Sequence, residues 1–310
     1  MRALFRDKRV QERFEADGCA VIPFLGRHQV DELLDFYRSI DHGDISDSLY
    51  VSSNTARGAA FVRAVRDRIQ QVVAEPLREN FDDCRVITGS FLVKKPNPKN
   101  RILPHQDWTT VDDERYACAS VWTALTDIGR DKGPLGTIDG SHRFFRQVLC
   151  SPSAHSYRRL PYAQHLAALF PYLRFHPVKA GEAVVFDSRV IHGSLPNTTS
   201  ELRMAASVGI VPREAALYHH YLLPGTGLSK FETYEVDEDF FVNYSNVTLT
   251  ALHDEGGKPE GLKSLGVFDL ARFSVEPVGA AQMAGMVEAA GNVLDPSLAG
   301  VEAGAIFGRG

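Results

Sequence analysis

A histidine and an aspartate stand two residues apart in Leu103-Pro-His105-Gln-Asp107-Trp. Residues two apart on a strand point to the same face, so this spacing predicts that both side chains face the same way. A second histidine, His192, lies much later in the chain, at the end of another predicted strand. Two imidazoles and one carboxylate on one face of a metal, with the other positions open, are typical of non-haem Fe(II) oxygen chemistry. His105, Asp107 and His192 are therefore candidate iron ligands.

An arginine follows the second histidine on the next predicted strand. Arg203 comes after His192, and the Pro196-Asn197-Thr-Thr segment between them has the composition of a turn. A guanidinium group can donate two parallel hydrogen bonds to one carboxylate. A His/His/Asp set can also bind zinc in a hydrolase. That alternative leaves Arg203 without a role.

Short runs of β-branched and aromatic residues, separated by turn signals, predict a strand-rich region between Cys84 and Val211. Helices do not alternate with these strands, which favours an antiparallel barrel or sandwich over a doubly wound sheet. A helical insertion is expected within residues 151–173, mainly at Tyr162–Leu173. The predicted strands are Cys84–Lys95, Ile102–Trp108, Tyr116–Ile128, Leu135–Ile138, Leu173–Val178, Ala183–Phe186, Arg189–His192 and Leu202–Val211.

The flanking segments are expected to cover this strand-rich core. Helical spacing of apolar residues is found at Val10–Ala16, His28–Ile40 and residues 59–78, and the polar stretch Asp41–Gly58 is expected to be a loop or lid. After Val275 the chain becomes rich in Ala and Gly, so we expect a loosely attached helix or a frayed tail. We therefore expect one elaborated domain: helices and lid in 1–83, a barrel in 84–212, and a cover and tail in 213–310.

Composition narrows the class of protein. The 310-residue chain is 44% hydrophobic and has a formal net charge of −5, so it can form a core but has no general basic field for nucleic acid. No run reaches the roughly 18 apolar residues of a membrane helix, and the N-terminus lacks the apolar stretch of a signal peptide. Four widely spaced cysteines predict reduced, mostly buried thiols. We expect a cytoplasmic protein whose oligomeric state the sequence leaves open.

Several blocks, in order, resemble the phytanoyl-CoA dioxygenase family of iron- and 2-oxoglutarate-dependent oxygenases. His105-Gln-Asp107 is similar to that family's first ligand motif, and His192-Gly-Ser194 followed by Arg203 is similar to its final strands. The remaining similar blocks are Phe14–Leu25, Val121–Asp127, Gly133-Pro-Leu135, Asp139-Gly-Ser-His142 and Lys179–Phe186.

This resemblance implies a mainly β fold with flanking helices, the double-stranded β-helix, a jelly-roll barrel. It also implies Fe(II) held by His105, Asp107 and His192, with Arg203 pairing with the distal carboxylate of the cosubstrate 2-oxoglutarate, and O2 as the oxidant. Many relatives carry Ser or Thr two residues after that arginine, whereas this chain has Ala205. We therefore expect a helper hydroxyl from Ser194, Thr123 or Ser207. Lys94 is a further candidate for a cosubstrate contact, with a solvated lysine as its alternative.

The expected activity is oxidation of a C–H bond in a small organic molecule, most simply hydroxylation, with release of succinate and CO2. Asp107 favours this over halogenation, because related halogenases have Gly or Ala at the matching position. Desaturation, cyclisation, epimerisation or rearrangement by the same chemistry, and a non-catalytic metal- or ligand-binding barrel, remain alternatives. No motif identifies the substrate or shows whether it is free or bound to a carrier.

Some further residues are assigned structural roles. His142 is expected in a turn, His219 and His220 on the surface or in a lid, and Cys118 in the core. Trp108 directly follows Asp107, and we expect it to pack in the core or to flank the pocket.

Overall fold

The computed structural model describes residues 1–42, 50–54 and 58–299. Most of its strands are antiparallel and lie in the middle of the chain. The strands are β1 (Cys19–Pro23), β2 (Tyr50–Ser52), β3 (Cys84–Lys94), β4 (Ile102–His105), β5 (Ala119–Ala124), β6 (Leu135–Thr137), β7 (Arg174–Phe175), β8 (Glu182–Asp187), β9 (His192–Ser194), β10 (Arg203–Pro212), β11 (Leu217–Leu222), β12 (Lys230–Val236) and β13 (Lys263–Asp269). The α-helices are α1 (Lys8–Asp17), α2 (Arg27–Ser39), α3 (Ala59–Asn80), α4 (Ser153–Ser156), α5 (Leu166–Leu169), α6 (Phe240–Asn243), α7 (Asn246–Asp254) and α8 (Ala280–Ala289).

Two facing sheets form the central sandwich. The larger has the order β1-β8-β5-β10-β3-β2 and the smaller the order β4-β9-β6-β7. Trp122 and Phe186 of the larger sheet share one buried cluster with Leu135 of the smaller sheet. The predicted jelly-roll class is confirmed, as two packed antiparallel sheets with flanking helices.

A helical layer covers the outer face of the larger sheet. In α3, Val65, Ile69, Val72 and Val73 recur at helical spacing and are buried in the same cluster as sheet residues such as Val121. This packing leaves the inner face of the sheet for the smaller sheet and for the polar side chains described below.

The predicted helices and the longer predicted strands agree with the structure to within a few residues, but three shorter segments differ. The Leu173–Val178 run reduces to β7, and β9 begins at His192 instead of ending there. Residues 187–190 form a turn, closed by the Val190 amide donating to the Asp187 carbonyl. The stretch Asp41–Gly58 contains a strand, β2, although residues 43–49 and 55–57 lie outside the described residues. The insertion consists of α4, α5 and short 3-10 turns between residues 153 and 172.

The C-terminal segment is packed, which corrects the expectation of a loose helix or frayed tail after Val275. Met283 and Val287 of α8 are buried among the aromatic residues of the insertion, and the Asn292 side chain donates to the Asp139 carbonyl. Residues 300–310, the end of the predicted tail, lie outside the described residues.

After the sandwich, β11, β12 and β13 form a third sheet. Tyr221 and Tyr234 of this sheet pack with Phe240, and Trp108 packs against the same cluster. In the described ranges, no helix has the length and apolar character needed to cross a membrane.

Candidate metal centre

The structure brings His105, Asp107 and His192 together at one edge of the sandwich. The potential ligand atoms of the three residues all lie within 4.8 Å of one another. Nε2 of His192 lies 3.9 Å from Oδ1 of Asp107, and the two imidazole centroids are 4.2 Å apart. Strands β4 and β9 pair antiparallel with His105 opposite His192, which explains how distant residues meet.

Both imidazoles are oriented by the backbone. Nδ1 of His105 lies 2.9 Å from the Leu103 carbonyl, and Nδ1 of His192 lies 2.9 Å from the Val190 carbonyl. A carbonyl oxygen can only accept, so each Nδ1 carries the proton and donates it. The opposite nitrogen, Nε2, is then the basic one that can bind a metal.

The protonation state of His105 fits metal binding. Burial, reinforced by the neighbouring His192, lowers the pKa of His105 to about 3, so its ring is neutral near pH 7. Burial raises the pKa of Asp107, and His192 opposes that rise. The Asp107 side chain is 42% exposed, so the centre is open on this side. Two imidazoles and a carboxylate form a donor set that suits Fe(II).

Gln106, between the two nearby ligand candidates, points the other way and is almost fully buried. Its side-chain oxygen accepts from the Tyr162 hydroxyl at 2.8 Å, and its amide nitrogen donates to the Arg189 carbonyl at 2.5 Å. The Tyr157 hydroxyl donates to its backbone carbonyl at 3.0 Å. These contacts fix the segment that carries His105 and Asp107.

A second polar group lies on the inner face of the larger sheet. Tyr50, Lys94 and Arg203 occupy one row across β2, β3 and β10, because Lys94 is the register partner of both others. Lys94 and Arg203 are 0% and 2% exposed. The Arg203 guanidinium lies 5.2 Å from the Trp122 ring and 5.8 Å from the Tyr50 ring.

Arg203 is only partly paired. Its Nη1 is 3.4 Å from the Gly133 carbonyl, whereas Nε and Nη2 have no hydrogen-bond partner among the described residues. Burial lowers the pKa of Arg203, and burial together with Arg203 lowers the pKa of Lys94 well below its usual value. A buried guanidinium with unpaired donors can bind an anion.

Gly133 permits this close packing. Its φ is +69°, and a Cβ there would lie 3.0 Å from both the Leu195 carbonyl oxygen and Cδ of Lys94. Only glycine adopts this conformation readily and also leaves room for the lysine.

Of the other predicted cosubstrate contacts, Lys94 and Ser194 lie together near Arg203, whereas Thr123 does not. Lys94 donates to the Ser194 hydroxyl at 2.6 Å and to the Leu195 carbonyl at 2.7 Å, so the solvated alternative for Lys94 is wrong. Thr123 lies on the opposite face of the sheet. Its register partners Ala206 and Ala183 belong to the helix-facing cluster, so Thr123 cannot supply the helper hydroxyl.

Sequence reasoning missed Tyr50 and misplaced His219. Tyr50 lay in the predicted loop, and only its alternation with the apolar Val51 could have indicated a strand. His219 is fully buried instead of lying on the surface or in a lid, since its Nε2 is 2.6 Å from the Ser151 hydroxyl and its ring packs against Trp108. His142 lies in a short 3-10 turn, and Cys118 is buried, as expected. All four cysteines are free.

A cavity of about 1010 Å³ opens between the N-terminus, residues 109–117 and the third sheet. Its lining includes Arg189, but none of the three candidate ligands. It is therefore separate from the metal centre.

Comparison with known proteins places the chain in a family. A family model described as phytanoyl-CoA dioxygenase (PhyH) matches residues 14–205. The chain belongs to the phytanoyl-CoA dioxygenase family. Within that family it is similar to phytanoyl-CoA dioxygenase 1 of Oryza sativa subsp. japonica, with 28% identity over 134 residues. It is also similar to phytanoyl-CoA dioxygenase of Arabidopsis thaliana, with 27% identity over 128 residues.

These matches cover 42% and 41% of this chain, and the chain spans a little under half the length of either relative, 45% and 44%. Among solved structures, the chain is similar to the non-haem α-ketoglutarate-dependent epimerase SnoN from nogalamycin biosynthesis, with 22% identity and a TM-score of 0.45 over 68% of this chain and 84% of that one. It is also similar to HygX from Streptomyces hygroscopicus, with 17% identity and a TM-score of 0.46 over 67% and 88%.

Proposed function

We propose that this member of the phytanoyl-CoA dioxygenase family is an Fe(II)- and 2-oxoglutarate-dependent dioxygenase that hydroxylates a C–H bond of a small organic molecule. The observation that carries the proposal is the pairing of two sites in one sandwich. One is the His105, Asp107 and His192 cluster, and the other is the buried, incompletely paired Arg203.

In this proposal the three clustered residues hold iron. The backbone carbonyls of Leu103 and Val190 keep Nε2 of each histidine directed at the metal. When bound, iron with 2-oxoglutarate and O2 supplies the oxidation: one oxygen atom enters the substrate C–H bond, and the other enters the succinate that forms as 2-oxoglutarate loses CO2. Ring contacts from Phe186 to His192, at 4.5 Å, and from Tyr157 to His105, at 6.1 Å, help to exclude water.

Arg203 is proposed to bind the distal carboxylate of 2-oxoglutarate. Its unpaired Nε and Nη2 can each donate to one carboxylate oxygen. Lys94 also donates to the Ser194 hydroxyl. We propose that this hydroxyl replaces the Ser or Thr hydroxyl that many relatives carry at the position of Ala205. These contacts determine which dicarboxylate the enzyme accepts.

The proposed substrate is a small molecule that approaches from the exposed side of Asp107. Trp108 borders this side, and its indole nitrogen donates to the Ser153 hydroxyl at 2.8 Å. The protein is proposed to work in the cytoplasm, without nucleic acid or membrane partners. The four free cysteines and the net charge of −5 support this setting.

An anaerobic titration tests the assignment. Fe(II) is added to the metal-free protein, followed by 2-oxoglutarate, and the visible charge-transfer absorption of the chelate is recorded as candidate substrates are added. A band that needs both additions, and that shifts with a substrate, is expected. Its absence in the wild-type protein would contradict the cosubstrate assignment.

The reaction type is tested separately. Incubation with 18O2 should place one labelled atom in the product alcohol and one in succinate. His192→Ala should lose the band and turnover, and retained iron-dependent activity in that variant would overturn the metal assignment. A desaturated, cyclised or epimerised product without label would replace hydroxylation while keeping the same cofactors.

A further inference from the structure

A second group of potential metal ligands lies away from the centre just described. His155 is on α4 in the insertion, whereas His253 and Asp254 end α7. One ligand atom from each lies within 4.8 Å of the others. Nε2 of His155 is 2.8 Å from Oδ1 of Asp254, and Nδ1 of His253 is 3.9 Å from the same oxygen.

The His253 ring is buried and its nitrogens form no hydrogen bond among the described residues. The residue is only 9% exposed. Burying an unpaired imidazole is costly, so such a group is expected to have a partner that the protein itself does not supply. The centroid of the His155 ring lies 4.3 Å away, and the two rings are tilted by 31°. Burial first, and then the adjacent His155, lowers the pKa of His253 and keeps it in the neutral, metal-binding form.

We propose that His155, His253 and Asp254 form a second metal site for a Zn²⁺-like transition-metal ion. Two imidazole nitrogens and one carboxylate oxygen suit zinc, cobalt or nickel better than the all-oxygen sites of Mg²⁺ and Ca²⁺. Ligands about 2.0–2.2 Å from a tetrahedral ion are about 3.4 Å from each other, and the observed 2.8 and 3.9 Å bracket that spacing. Asp254 is 59% exposed, so its carboxylate can adjust and water can complete the shell.

The proposed ion would connect α4 with α7, and α4 in turn contacts Trp108 beside the candidate ligand Asp107. The Ser153 amide, at the start of α4, donates to the Asn246 side chain at the start of α7. The Ser153 hydroxyl also accepts from Trp108, which follows Asp107. A metal bound by His155 and His253 would therefore fix α4 against α7 and, through Ser153, hold Trp108 in place. The role of the ion is structural.

The experiment measures metal stoichiometry in the full chain. Protein is stripped with a chelator and titrated with Co²⁺ alone, with the d–d absorption and the bound metal recorded after gel filtration. Wild type should bind two ions, His253→Leu one and His192→Ala one, and the double variant should bind none. His28→Leu, which removes an exposed histidine of α2, is the matched control and should bind two.

Asp254→Asn provides a second variant that leaves the buried packing intact. It should weaken binding of the second Co²⁺ by at least about tenfold, which is roughly 1.4 kcal/mol. The proposal is overturned if wild type binds only the ion that His192→Ala removes, or if His253→Leu and Asp254→Asn both retain two ions at wild-type affinity. Failure of the iron assignment has a different outcome, because His192→Ala would then bind as many ions as wild type.

Discussion

Lys94 and Arg203 are register partners on neighbouring strands, and both of their side chains are buried inside the sandwich. Within the described residues, no carboxylate contributes to the shifted pKa of either cation. Two like charges placed together in a low-dielectric interior repel, and each also loses hydration. Burial and repulsion therefore favour loss of the Lys94 proton, and an anion bound beside both groups would favour its return.

Arg203→Ala and Lys94→Met should therefore differ in their effects on cosubstrate binding. Truncating a buried, charged hydrogen-bonding partner costs about 2–5 kcal/mol, so Arg203→Ala should weaken 2-oxoglutarate binding by about 30-fold or more. Lys94→Met should have a smaller effect, because the ammonium group is already held by Ser194 and Leu195. Equilibrium titration of 2-oxoglutarate into the Fe(II) protein measures both.

Arg213→Ala is the matched control for these variants. Arg213 is an exposed arginine paired with Asp83 on the protein surface, so its removal should leave 2-oxoglutarate affinity unchanged. Equal affinities in Arg203→Ala and Arg213→Ala would remove Arg203 from the cosubstrate site.

Gln106→Met should reduce metal affinity although the residue does not face the metal. The substitution keeps a similar volume but leaves the Tyr162 hydroxyl and the Arg189 carbonyl without their buried partner. Residues that orient ligands typically change metal affinity by about 10–100-fold. Competition for Fe(II) with a chelating dye measures this change. Gln147→Met loses only a 3.2 Å contact to Gln106 and should stay close to wild type. Wild-type affinity in Gln106→Met would show that backbone pairing alone positions the ligands.

His176 should make folding stability depend on pH. Burial, assisted by the charge of Arg174, lowers the pKa of His176 to about 4, whereas the unfolded value is near 6.5. Between these values the unfolded chain binds the proton and the folded protein does not, so stability falls as the pH falls from 6.5 to 4. The full effect is about 3 kcal/mol.

Urea unfolding at a series of pH values, compared between wild type and His176→Gln, isolates this contribution. Glutamine keeps a donor for the Thr137 hydroxyl, which lies 2.8 Å from Nε2 of His176, but cannot titrate. The variant should lose part of the acid sensitivity, whereas His28→Gln, at an exposed position, should not. An identical pH slope in wild type and His176→Gln would contradict the assignment.

Met283→Ala tests whether α8 belongs to the core. Met283 is 1% exposed and packs in the cluster of the insertion, so the truncation should destabilise the protein by about 2–5 kcal/mol. Val293 lies just beyond α8 and is 84% exposed, so Val293→Ala should change stability by less than about 0.5 kcal/mol. Chemical denaturation measures both, and equal stabilities would mean that α8 contributes little.

The features that depend only on residues adjacent in sequence were predicted correctly. The spacing of His105 and Asp107 on an extended segment indicated a shared face, and runs of β-branched and aromatic residues between turn signals indicated β3 and β10. Local patterns did not predict which strands pair with each other. Lys94 appeared solvated because its burial depends on residues 100 positions later in the chain, Ser194 and Leu195.

Other errors came from signals that were present but weak. Thr123 was expected as a helper hydroxyl, although its alternation with Trp122 could have placed it on the opposite face of β5, where it pairs with Ala206. The Ala- and Gly-rich α8 lacked a strong apolar stripe, because only Met283 and Val287 are buried. Its attachment depends on the aromatic surface that the insertion presents to it, which no local pattern in α8 records.

The alternation around Gln106 has a further consequence for how this sequence can vary. His105 and Asp107 face the metal centre, whereas Gln106 between them points away and accepts a hydrogen bond from Tyr162. The order of these three residues therefore determines both metal binding and the fixing of the segment. Deleting one residue before His105 would shift that order by one place and exchange the faces. A change of length here should therefore abolish metal binding.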